Sequence, residues 1–177
     1  IIAAGGRGER LGGDVFKQLR KLNGSTVLEL SIKSFDESDC INEIVVVLPS
    51  ELFDSPPDFL ETPKTKIRVV KGGRKRHDSV KAGLEVVSEK SDVVVIHDAA
   101  RPNPSKKVIN EIIKKIRTNH AVVPIIKSSD ATKRLDKNLI FKNIKRETLG
   151  FSQTPQGFTF NKIFEKHKEN INESFDD

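Results

Sequence analysis

Short runs of apolar, mostly β-branched residues alternate along this chain with segments of helical periodicity, and this alternation limits the folds open to it. The runs are IVVVL (44–48), IRVV (67–70), VVVI (93–96) and AVVPII (121–126). They lack the polar alternation of a strand that has one face in water, and strands buried on both faces of a parallel sheet have this composition. We therefore predict four buried strands at these positions.

Amphipathic stripes between the runs predict helices over residues 26–35, 79–87 and 106–117. In the first stripe, Thr26 and Glu29 have the spacing of a capping box. Strands that alternate with helices form a mainly parallel sheet with right-handed crossovers. The expected fold is therefore α/β: a three-layer, Rossmann-like, mainly parallel sheet with helices on both faces. In this architecture ligands bind beyond the carboxyl ends of the strands.

Residues 128–153 interrupt the alternation. They hold many charges and one modest apolar group, without a helical stripe, so we predict an extended β-arm with an outer strand near 138–144. An arm that cannot bury its apolar residues locally packs against something else. The chain has 177 residues, the length of one domain, and residues 1–177 are therefore treated as a single domain with this arm.

The stretch AAGGRGERLGGDVFKQ (3–18) follows a short apolar strand at the start of the chain. Its glycines, Gly6 and Gly8 among them, allow the backbone to approach a ligand and expose amide groups to an anion. The dinucleotide motif GxGxxG and the P-loop ending GK[ST] are both absent. What remains is a glycine-rich turn flanked by two cations, Arg10 and Lys17. A plain turn is the alternative interpretation.

Two further strand ends carry small residues and cations. HDAARP (97–102) follows the third run, so Asp98 and Arg101 are predicted to project from the carboxyl end of a strand. An aspartate that caps the next helix and pairs with the arginine is an equal alternative. His97 is expected to orient this loop by hydrogen bonding rather than to act as an acid or base. GGRKRHDSVKAG (72–83) follows the second run and offers a second anion-binding turn.

Composition narrows the classes of partner. The net charge of +6 makes a polyanionic partner plausible, but no aromatic residues interleave with the basic run GGRKRH, so we expect no nucleic-acid partner. No apolar run reaches the roughly 18 residues of a membrane helix, so no membrane partner is expected. The single cysteine, Cys40, has no CxxC or Cys/His cluster around it, which argues against a zinc site and fits a cytoplasmic protein.

Taken together, the opening loop with its KQ ending, GG...R.DSV.AGL, HDAARP and TPQ.F resemble the motifs of the 2-C-methyl-D-erythritol 4-phosphate cytidylyltransferase family. The resemblance runs in consistent order from the first residue to the last. It implies a nucleotidyltransferase domain in which CTP and the polyol phosphate react, with Mg²⁺ or another divalent cation, to give the CDP-alcohol and pyrophosphate. This reaction belongs to non-mevalonate isoprenoid precursor synthesis.

The resemblance also implies a role for each matching position. Arg10 and Lys17 would stabilise the transition state, and Asp98 would hold the metal directly or through water. Arg146 on the arm, reaching over from a neighbouring subunit, would position the acceptor, so a homodimer through the arm is implied. The substrate-binding residues would be Ala4, Gly5, Gly6, Gly8, Gly73, Ser79, Asp98, Arg101 and Thr154.

Some features depart from the family pattern or leave alternatives open. Phe16 stands where the family has proline before the lysine. The chain ends at Asp177, before the family's closing NIK(V/I)T segment, so we expect the C-terminal end of the family domain to be absent. Ribitol 5-phosphate is the alternative acceptor, and a nonenzymatic nucleotide-binding or RNA-binding module is the alternative class. The implied location is the cytoplasm, or the plastid stroma in a plastid-bearing eukaryote.

Overall fold

The computed structural model of the chain describes residues 1–6 and 16–169. Within these residues the helices are α1 (Val27–Asp36), α2 (Ser50–Phe53), α3 (Arg76–Val86), α4 (Lys106–Ile116) and α5 (Phe160–Lys168). The strands are β1 (Ile2–Ala3), β2 (Lys21–Leu22), β3 (Ser25–Thr26), β4 (Glu43–Leu48), β5 (Lys66–Lys71), β6 (Val93–Asp98), β7 (Ala121–Val122), β8 (Ile125–Lys127), β9 (Thr132–Asp136), β10 (Leu139–Ile144), β11 (Gly150–Ser152) and β12 (Gln156–Thr159). Short 3-10 helices occupy Lys17–Leu19, Asp58–Glu61 and Arg146–Thr148.

Six strands form the central sheet, in the order β5-β4-β1-β6-β12-β7. The pairs β4–β5, β1–β4 and β1–β6 are parallel, whereas β12 runs antiparallel to β6 and β7. The predicted strands at 44–48, 67–70 and 93–96 are confirmed as β4, β5 and β6. The carboxyl ends of β1, β4, β5 and β6 therefore lie side by side along one border of the sheet. This border, the carboxyl edge, is distinct from the edge strands β5 and β7.

Helices cover both faces of this sheet, as predicted. Because side chains alternate across a strand, Val95 of β6 packs into one core cluster while its neighbours Val94 and Ile96 pack into the other. The first cluster takes the apolar faces of α1 and α4, and the second takes those of α3 and α5. Their helical members are Leu28, Ile32, Phe35, Ile109, Ile112 and Ile116 in the first cluster, and Val80, Leu84, Phe160 and Ile163 in the second.

The start of α1 confirms the predicted capping box. The backbone N–H of Glu29 donates to Thr26 Oγ1 over 3.1 Å, and the N–H of Thr26 donates to Glu29 Oε2 over 2.9 Å. These two bonds satisfy amide groups that have no partner inside the helix. The local sequence thus sets where the helix begins.

The predicted single strand over residues 121–126 is wrong. The segment divides into β7, which lies at the edge of the central sheet, and β8, which pairs with β11 in a separate two-stranded ribbon. Pro124 lies at the break, and proline has no N–H to give to a continuous ladder. Ile125 and Ile126 are consequently exposed and not part of the core.

Other boundaries also differ from prediction. The helix predicted over 79–87 begins at Arg76, one turn earlier, where the N–H of Lys75 donates to Asp78 Oδ2 over 3.1 Å. Neither β12 nor α5 is predicted. The pattern QGFT is too short to identify as a strand by periodicity, and it is defined by pairing on both sides with β6 and β7.

The arm consists of two antiparallel ribbons. Strands β9 and β10 form an outer hairpin with an irregular register between Ile140 and Lys142, and β8 and β11 form its base. The predicted outer strand near 138–144 is confirmed as β10. Across the described residues, none of the helices has the length and apolar character needed to span a membrane.

Candidate active site

The ends of β1 and β5 and the first turns of α3 touch at glycine positions. A Cβ on Gly5 would lie 2.6 Å from Ser79 Oγ and 3.7 Å from Gly72 Cα, and a Cβ on Gly72 would lie 3.2 Å from the carbonyl oxygen of Leu48. Side chains larger than hydrogen would force these segments apart. At Gly6, by contrast, a Cβ would meet no atom of the described residues within 4 Å, so the turn opens on that side.

Gly73, the residue after Gly72, packs against the first turn of α3 instead. A Cβ there would lie 2.2 Å from Asp78 Cβ, in the first turn of α3. Of the predicted nucleotide-binding residues, Gly5 and Ser79 are therefore brought together, and Gly73 adjoins them in sequence through Gly72. Gly8 and Arg10 lie outside the described residues.

Buried hydrogen bonds anchor the turn that follows the opening loop. Ala4 is buried, its N–H donates to the carbonyl oxygen of Val47 over 2.9 Å, and its own carbonyl oxygen accepts from Gln18 Nε2 over 2.7 Å. Gln18 is itself buried, so its neighbour Lys17 has a fixed backbone position. Lys17 is half-buried, and among residues 1–6 and 16–169 no carboxylate lies within ion-pair distance of its ammonium group.

Asp98, at the end of β6, lies between two guanidinium groups. Its Oδ1 is 2.9 Å from Arg76 Nε, and its Oδ2 is 3.6 Å from Arg101 Nε. The alternative in which Asp98 pairs with Arg101 is therefore present, but the cap of the following helix is Ser105, which accepts from the N–H of Val108. The carboxylate keeps 31% of its side-chain surface exposed and faces the same edge of the sheet as the glycines.

His97, next to Asp98, is fully buried and has both ring nitrogens engaged. Nε2 lies 2.9 Å from the carbonyl oxygen of Arg101, and Nδ1 lies 3.1 Å from Thr154 Oγ1. The ring also packs against Phe35, with 5.1 Å between ring centroids. Burial lowers the pKa of His97 to about 4, so the ring is neutral at neutral pH. The expectation that His97 orients the loop by hydrogen bonding is confirmed.

The segment containing Gln153 and Thr154 lies against the end of β6. The backbone N–H of Asp98 donates to Thr154 Oγ1 over 3.3 Å, and Arg101 donates to the side-chain oxygen of Gln153. The side chains of Arg101, Gln153 and Thr154 thus lie close to Asp98 at the end of β6. The predicted residues Asp98, Arg101 and Thr154 are brought together by the structure.

Arg146 lies apart from this group. It begins a 3-10 turn in the arm, its side chain is 58% exposed, and its contacts are the carbonyl oxygen of Ser129 at 3.2 Å and the carboxylate of Glu147 at 3.3 Å. Both partners belong to the arm. Within the described part of one chain, Arg146 does not join the residues at the strand ends.

Asp98 is the carboxylate best placed for a divalent cation. The described residues contain no group of three or more His, Cys, Asp or Glu side chains that could hold a metal ion by themselves. Mg²⁺ in nucleotide-dependent enzymes is commonly held by one or two carboxylates together with substrate phosphates. A single half-exposed carboxylate fits that donor set and does not fit an all-protein cage.

Sequence reasoning missed two side chains that shape the site. Arg76 pairs with Asp98, and Ser31 of α1 donates to the carbonyl oxygens of Ala99 and Arg101 at 3.0 Å and 3.2 Å. The position of Arg76 after a glycine pair at a helix start was a usable signal for a functional cation. Ser31 has no local signal, because its role depends on how α1 packs against the end of β6.

Comparison with known proteins first assigns the class. Among solved structures, 4-diphosphocytidyl-2C-methyl-D-erythritol synthase from Anaerococcus prevotii DSM 20548 superposes with a TM-score of 0.82 at 30% identity, over 89% of this chain and 73% of that one. The bifunctional IspDF from Campylobacter jejuni superposes with a TM-score of 0.79 at 25% identity, over 98% of this chain and 43% of that one. The fold is thus that of a nucleotidyltransferase.

Sequence comparison then gives the family. The family model IspD, 2-C-methyl-D-erythritol 4-phosphate cytidylyltransferase, matches residues 1–177. The enzyme of that name from Clostridium beijerinckii is 40% identical over 172 residues, which are 96% of this chain and 76% of the relative. A relative of the same name from Clostridium botulinum is 37% identical over 98% of this chain and 79% of its own length. The chain belongs to the 2-C-methyl-D-erythritol 4-phosphate cytidylyltransferase family.

Proposed function

We propose that this chain transfers the cytidylyl group of CTP to 2-C-methyl-D-erythritol 4-phosphate in isoprenoid precursor synthesis. A phosphate oxygen of the acceptor attacks the α-phosphorus of CTP, and a new P–O bond forms. The bond between the α-phosphorus and the bridging oxygen breaks, and pyrophosphate leaves. The products are 4-diphosphocytidyl-2-C-methyl-D-erythritol and pyrophosphate.

The observation that carries this proposal is the family match over all 177 residues, joined to the contacts at the carboxyl edge of the sheet. There the ends of β1 and β5 meet at Gly5 and Gly72, and β6 ends beside Thr154. Ligands of open α/β sheets bind at this edge. The positions of Gly5, Gly72 and Thr154 at this edge support the proposal.

The nucleotide is assigned to the glycine side of this edge. Gly5 and Gly6 would present backbone amides to the triphosphate, and a Cβ at Gly6 would meet no described atom within 4 Å. Gly8, which lies outside the described residues, is assigned to the same role, whereas Ala4, whose N–H is bonded to Val47, would hold the start of the turn in place. Gly73 and Ser79 are assigned to the cytosine and the ribose.

Two cations are assigned to the reacting phosphates. Lys17 has a fixed backbone position and no carboxylate partner in the described part of the chain, and Arg10 is the second cation of the loop. Phosphoryl transfer requires positive charge at the developing oxyanions more than it requires an acid or base. Both residues would stabilise charge that builds up as pyrophosphate departs.

Asp98 is assigned to a divalent cation, held directly or through water. Mg²⁺ bound there together with phosphate oxygens would neutralise charge on the triphosphate. Arg76 and Arg101 hold the Asp98 carboxylate from either side and so orient it. Arg101 and Thr154 would then face the acceptor.

Arg146 is assigned to the acceptor phosphate of a neighbouring chain, which requires a homodimer through the arm. The arm has large apolar side chains on its surface that one chain leaves uncovered, and such patches mark association surfaces. These exposed residues are Ile125, Ile126, Leu135, Leu139, Ile140, Phe141 and Phe151. A twofold dimer would bury them and carry Arg146 toward the partner's strand ends.

Release of pyrophosphate tests the reaction. The protein is supplied with CTP and Mg²⁺ and with either 2-C-methyl-D-erythritol 4-phosphate or ribitol 5-phosphate. We expect release with the methylerythritol compound and with CTP in preference to the other nucleoside triphosphates. Turnover with ribitol 5-phosphate alone would transfer the assignment to that acceptor. Binding of CTP without release under any condition would favour a nonenzymatic nucleotide-binding module.

Complementation tests the shared site. Chains carrying Lys17→Ala and chains carrying Arg146→Ala are each inactive in the proposal, and they are then mixed so that dimers re-form. If Arg146 acts on the partner, mixing restores activity to about one quarter of the wild-type value, because half of the dimers hold one intact site. If Arg146 acts within its own chain, the mixture stays inactive. Light scattering of the same samples measures the dimer directly.

A further inference from the structure

A chain of hydrogen bonds connects the end of β6 to Thr154. The N–H of Asp98 lies 3.3 Å from Thr154 Oγ1, Thr154 Oγ1 lies 3.1 Å from His97 Nδ1, and His97 Nε2 lies 2.9 Å from the carbonyl oxygen of Arg101. His97 is 0% exposed, whereas Thr154 is only half-buried and faces the proposed acceptor site. A buried group thus contacts a group that a substrate can reach.

The chemistry of the two ends sets the direction of every bond in this chain. A carbonyl oxygen only accepts, so His97 Nε2 carries the hydrogen that it donates to Arg101. In a neutral ring the other nitrogen, Nδ1, is then a lone-pair acceptor, and the Thr154 hydroxyl donates to it. The amide of Asp98 donates to the oxygen of the same hydroxyl. Thr154 Oγ1 has therefore used its only hydrogen, and one lone pair remains free.

We propose that His97 is a positioning residue that determines acceptor specificity by holding the Thr154 hydroxyl as a hydrogen-bond acceptor. With its hydrogen committed to His97, Thr154 can bind a hydroxyl group of the polyol chain, which donates. It cannot bind an ionised phosphate oxygen, which has no hydrogen to give. Thr154 therefore recognises the polyol end of the acceptor, and the phosphate end is left to the cations. This inference deepens the proposed function and rests on it.

The surroundings of His97 hold the ring in this orientation. Phe35 packs against one side of the ring, and Ser31 Oγ donates to the same carbonyl oxygen of Arg101 that accepts from Nε2. Turning the ring over would place carbon atoms against both polar partners, and a buried polar group without a partner costs about 1–3 kcal/mol. The packing therefore preserves the arrangement in which Nδ1 faces Thr154.

Two substitutions of His97 separate a positioning role from a structural one. The side-chain oxygen of asparagine can occupy the place of Nδ1, so His97→Asn retains the acceptor for Thr154 and loses the bond to Arg101. The amide of glutamine can reach the place of Nε2, so His97→Gln retains the bond to Arg101 and loses the acceptor. The two variants therefore each remove one half of the hydrogen-bond chain.

Steady-state kinetics of pyrophosphate release give the first readout. We expect His97→Gln to raise KM for the polyol phosphate about tenfold, with KM for CTP changed less than about twofold, because one hydrogen bond of the acceptor is lost. We expect His97→Asn to lie much closer to wild type. Thr154→Ser should rescue the loss seen in Thr154→Val, and His97→Gln should cause little further loss when added to Thr154→Val.

The opposite kinetic results overturn the proposal. Equal effects of His97→Asn and His97→Gln, or parallel changes in KM for both substrates, indicate a structural role alone. Monodeoxy analogues of the polyol phosphate add a check on the recognised group. One of them should bind wild type about tenfold more weakly and be insensitive to His97→Gln. If every analogue remains sensitive, the hydroxyl is not the recognised group.

A spectroscopic measurement separates failure of this inference from failure of the proposed reaction. Two-bond ¹H–¹⁵N correlation spectra of the histidine-labelled protein, assigned by the loss of signals in His97→Asn, report which ring nitrogen of His97 carries the hydrogen. We expect hydrogen on Nε2 and a bare Nδ1, with the Nδ1 signal shifted by Thr154→Val. Hydrogen on Nδ1 overturns the inference whether or not the protein turns over any substrate. Absence of pyrophosphate release overturns only the proposed reaction.

Discussion

The carboxyl edge of the central sheet and the arm satisfy their side chains in opposite ways. At the edge, Asp98 and His97 have partners from three segments of the same chain, and the apolar residues beneath them are buried. In the arm, Leu139 and Phe141 stay 77% and 64% exposed, and the ribbon is held together by its own strand pairing. The carboxyl edge is organised within one chain, whereas the arm leaves large apolar side chains exposed in a single chain.

This difference predicts which property a substitution changes. Substitutions in the core of the sheet should change the stability of a single chain, and substitutions in the arm should change association. The sheet is packed against helices on both faces, so truncation of a large apolar side chain there lowers the free energy of unfolding. The arm has little to lose in the monomer.

Leu84→Ala should destabilise the chain by about 2–5 kcal/mol, because Leu84 of α3 is 1% exposed and its truncation leaves a cavity in the core. Chemical denaturation monitored by circular dichroism measures this loss. An effect below about 1 kcal/mol would mean that the second core cluster rearranges to fill the cavity.

Acidification should destabilise the protein through His97. Burial lowers the pKa of His97 to about 4, and an unfolded histidine has a pKa near 6.5, so the unfolded state binds the proton more readily between these values. The contribution is fully present above about pH 6.5, falls as the pH drops to about 4, and is then constant, for a total of about 3 kcal/mol. Denaturation curves across this range for wild type and His97→Gln measure the difference. Identical slopes for the two proteins would contradict burial as the cause.

Lys17→Ala should lower kcat by about 10²-fold with an unchanged melting temperature, because the proposed function assigns Lys17 to charge that develops during transfer. Arg10→Ala should behave in the same way. Lys21→Ala is the matched control, since Lys21 is an exposed lysine in the neighbouring strand β2, and its activity should equal that of wild type. A matching fall in Tm for Lys17→Ala would place this residue in the framework of the fold instead.

Arg76→Ala should lower kcat/KM about tenfold, because the Asp98 carboxylate loses the guanidinium 2.9 Å from its Oδ1 and is held less firmly. Arg74→Ala, which removes an exposed arginine two residues away, serves as the control and should leave kcat/KM unchanged. The readout is pyrophosphate release as a function of Mg²⁺ concentration. Equal losses in the two variants would mean that only net positive charge matters at this turn.

Leu139→Ala should change the unfolding free energy of the monomer by less than about 0.5 kcal/mol, because its side chain is already in water. The same substitution should weaken the proposed dimer. Analytical ultracentrifugation measures the dissociation constant and denaturation at low protein concentration measures the monomer. A clear loss of monomer stability would show that the arm also stabilises its own chain.

Much of the fold could be predicted because its signals are local. Unbroken β-branched runs identify β4, β5 and β6, and the Thr26–Glu29 pair identifies the start of α1. The prediction failed over 121–126, where an apolar run divides at Pro124 between the sheet and the arm. An apolar composition indicates that a segment is suited to burial. It does not indicate which strand the segment pairs with.

The candidate site also contains residues that could be predicted from the sequence and residues that could not. The residues that end strands β1 and β6 were identified from the motifs, since a strand end followed by glycine or by small and charged residues is visible in one short stretch. Arg76 as the partner of Asp98 and Ser31 as a tether of the following turn were missed. Each of these bonds joins segments whose proximity no local pattern reports.

The sequence by itself determined the α/β class, the helix start at Thr26, the glycines that let backbones meet and the presence of an arm. Tertiary structure alone decided which polar groups meet: Thr154 with His97 across 57 residues, Asp98 with Arg76 across 22, and Ser31 with Ala99 across 68. The physical reason is the separation along the chain between the residues that interact. Periodicity and caps are set by neighbours within a few residues, whereas these hydrogen bonds exist only after the strands adopt the order β5-β4-β1-β6 and bring distant ends to one edge.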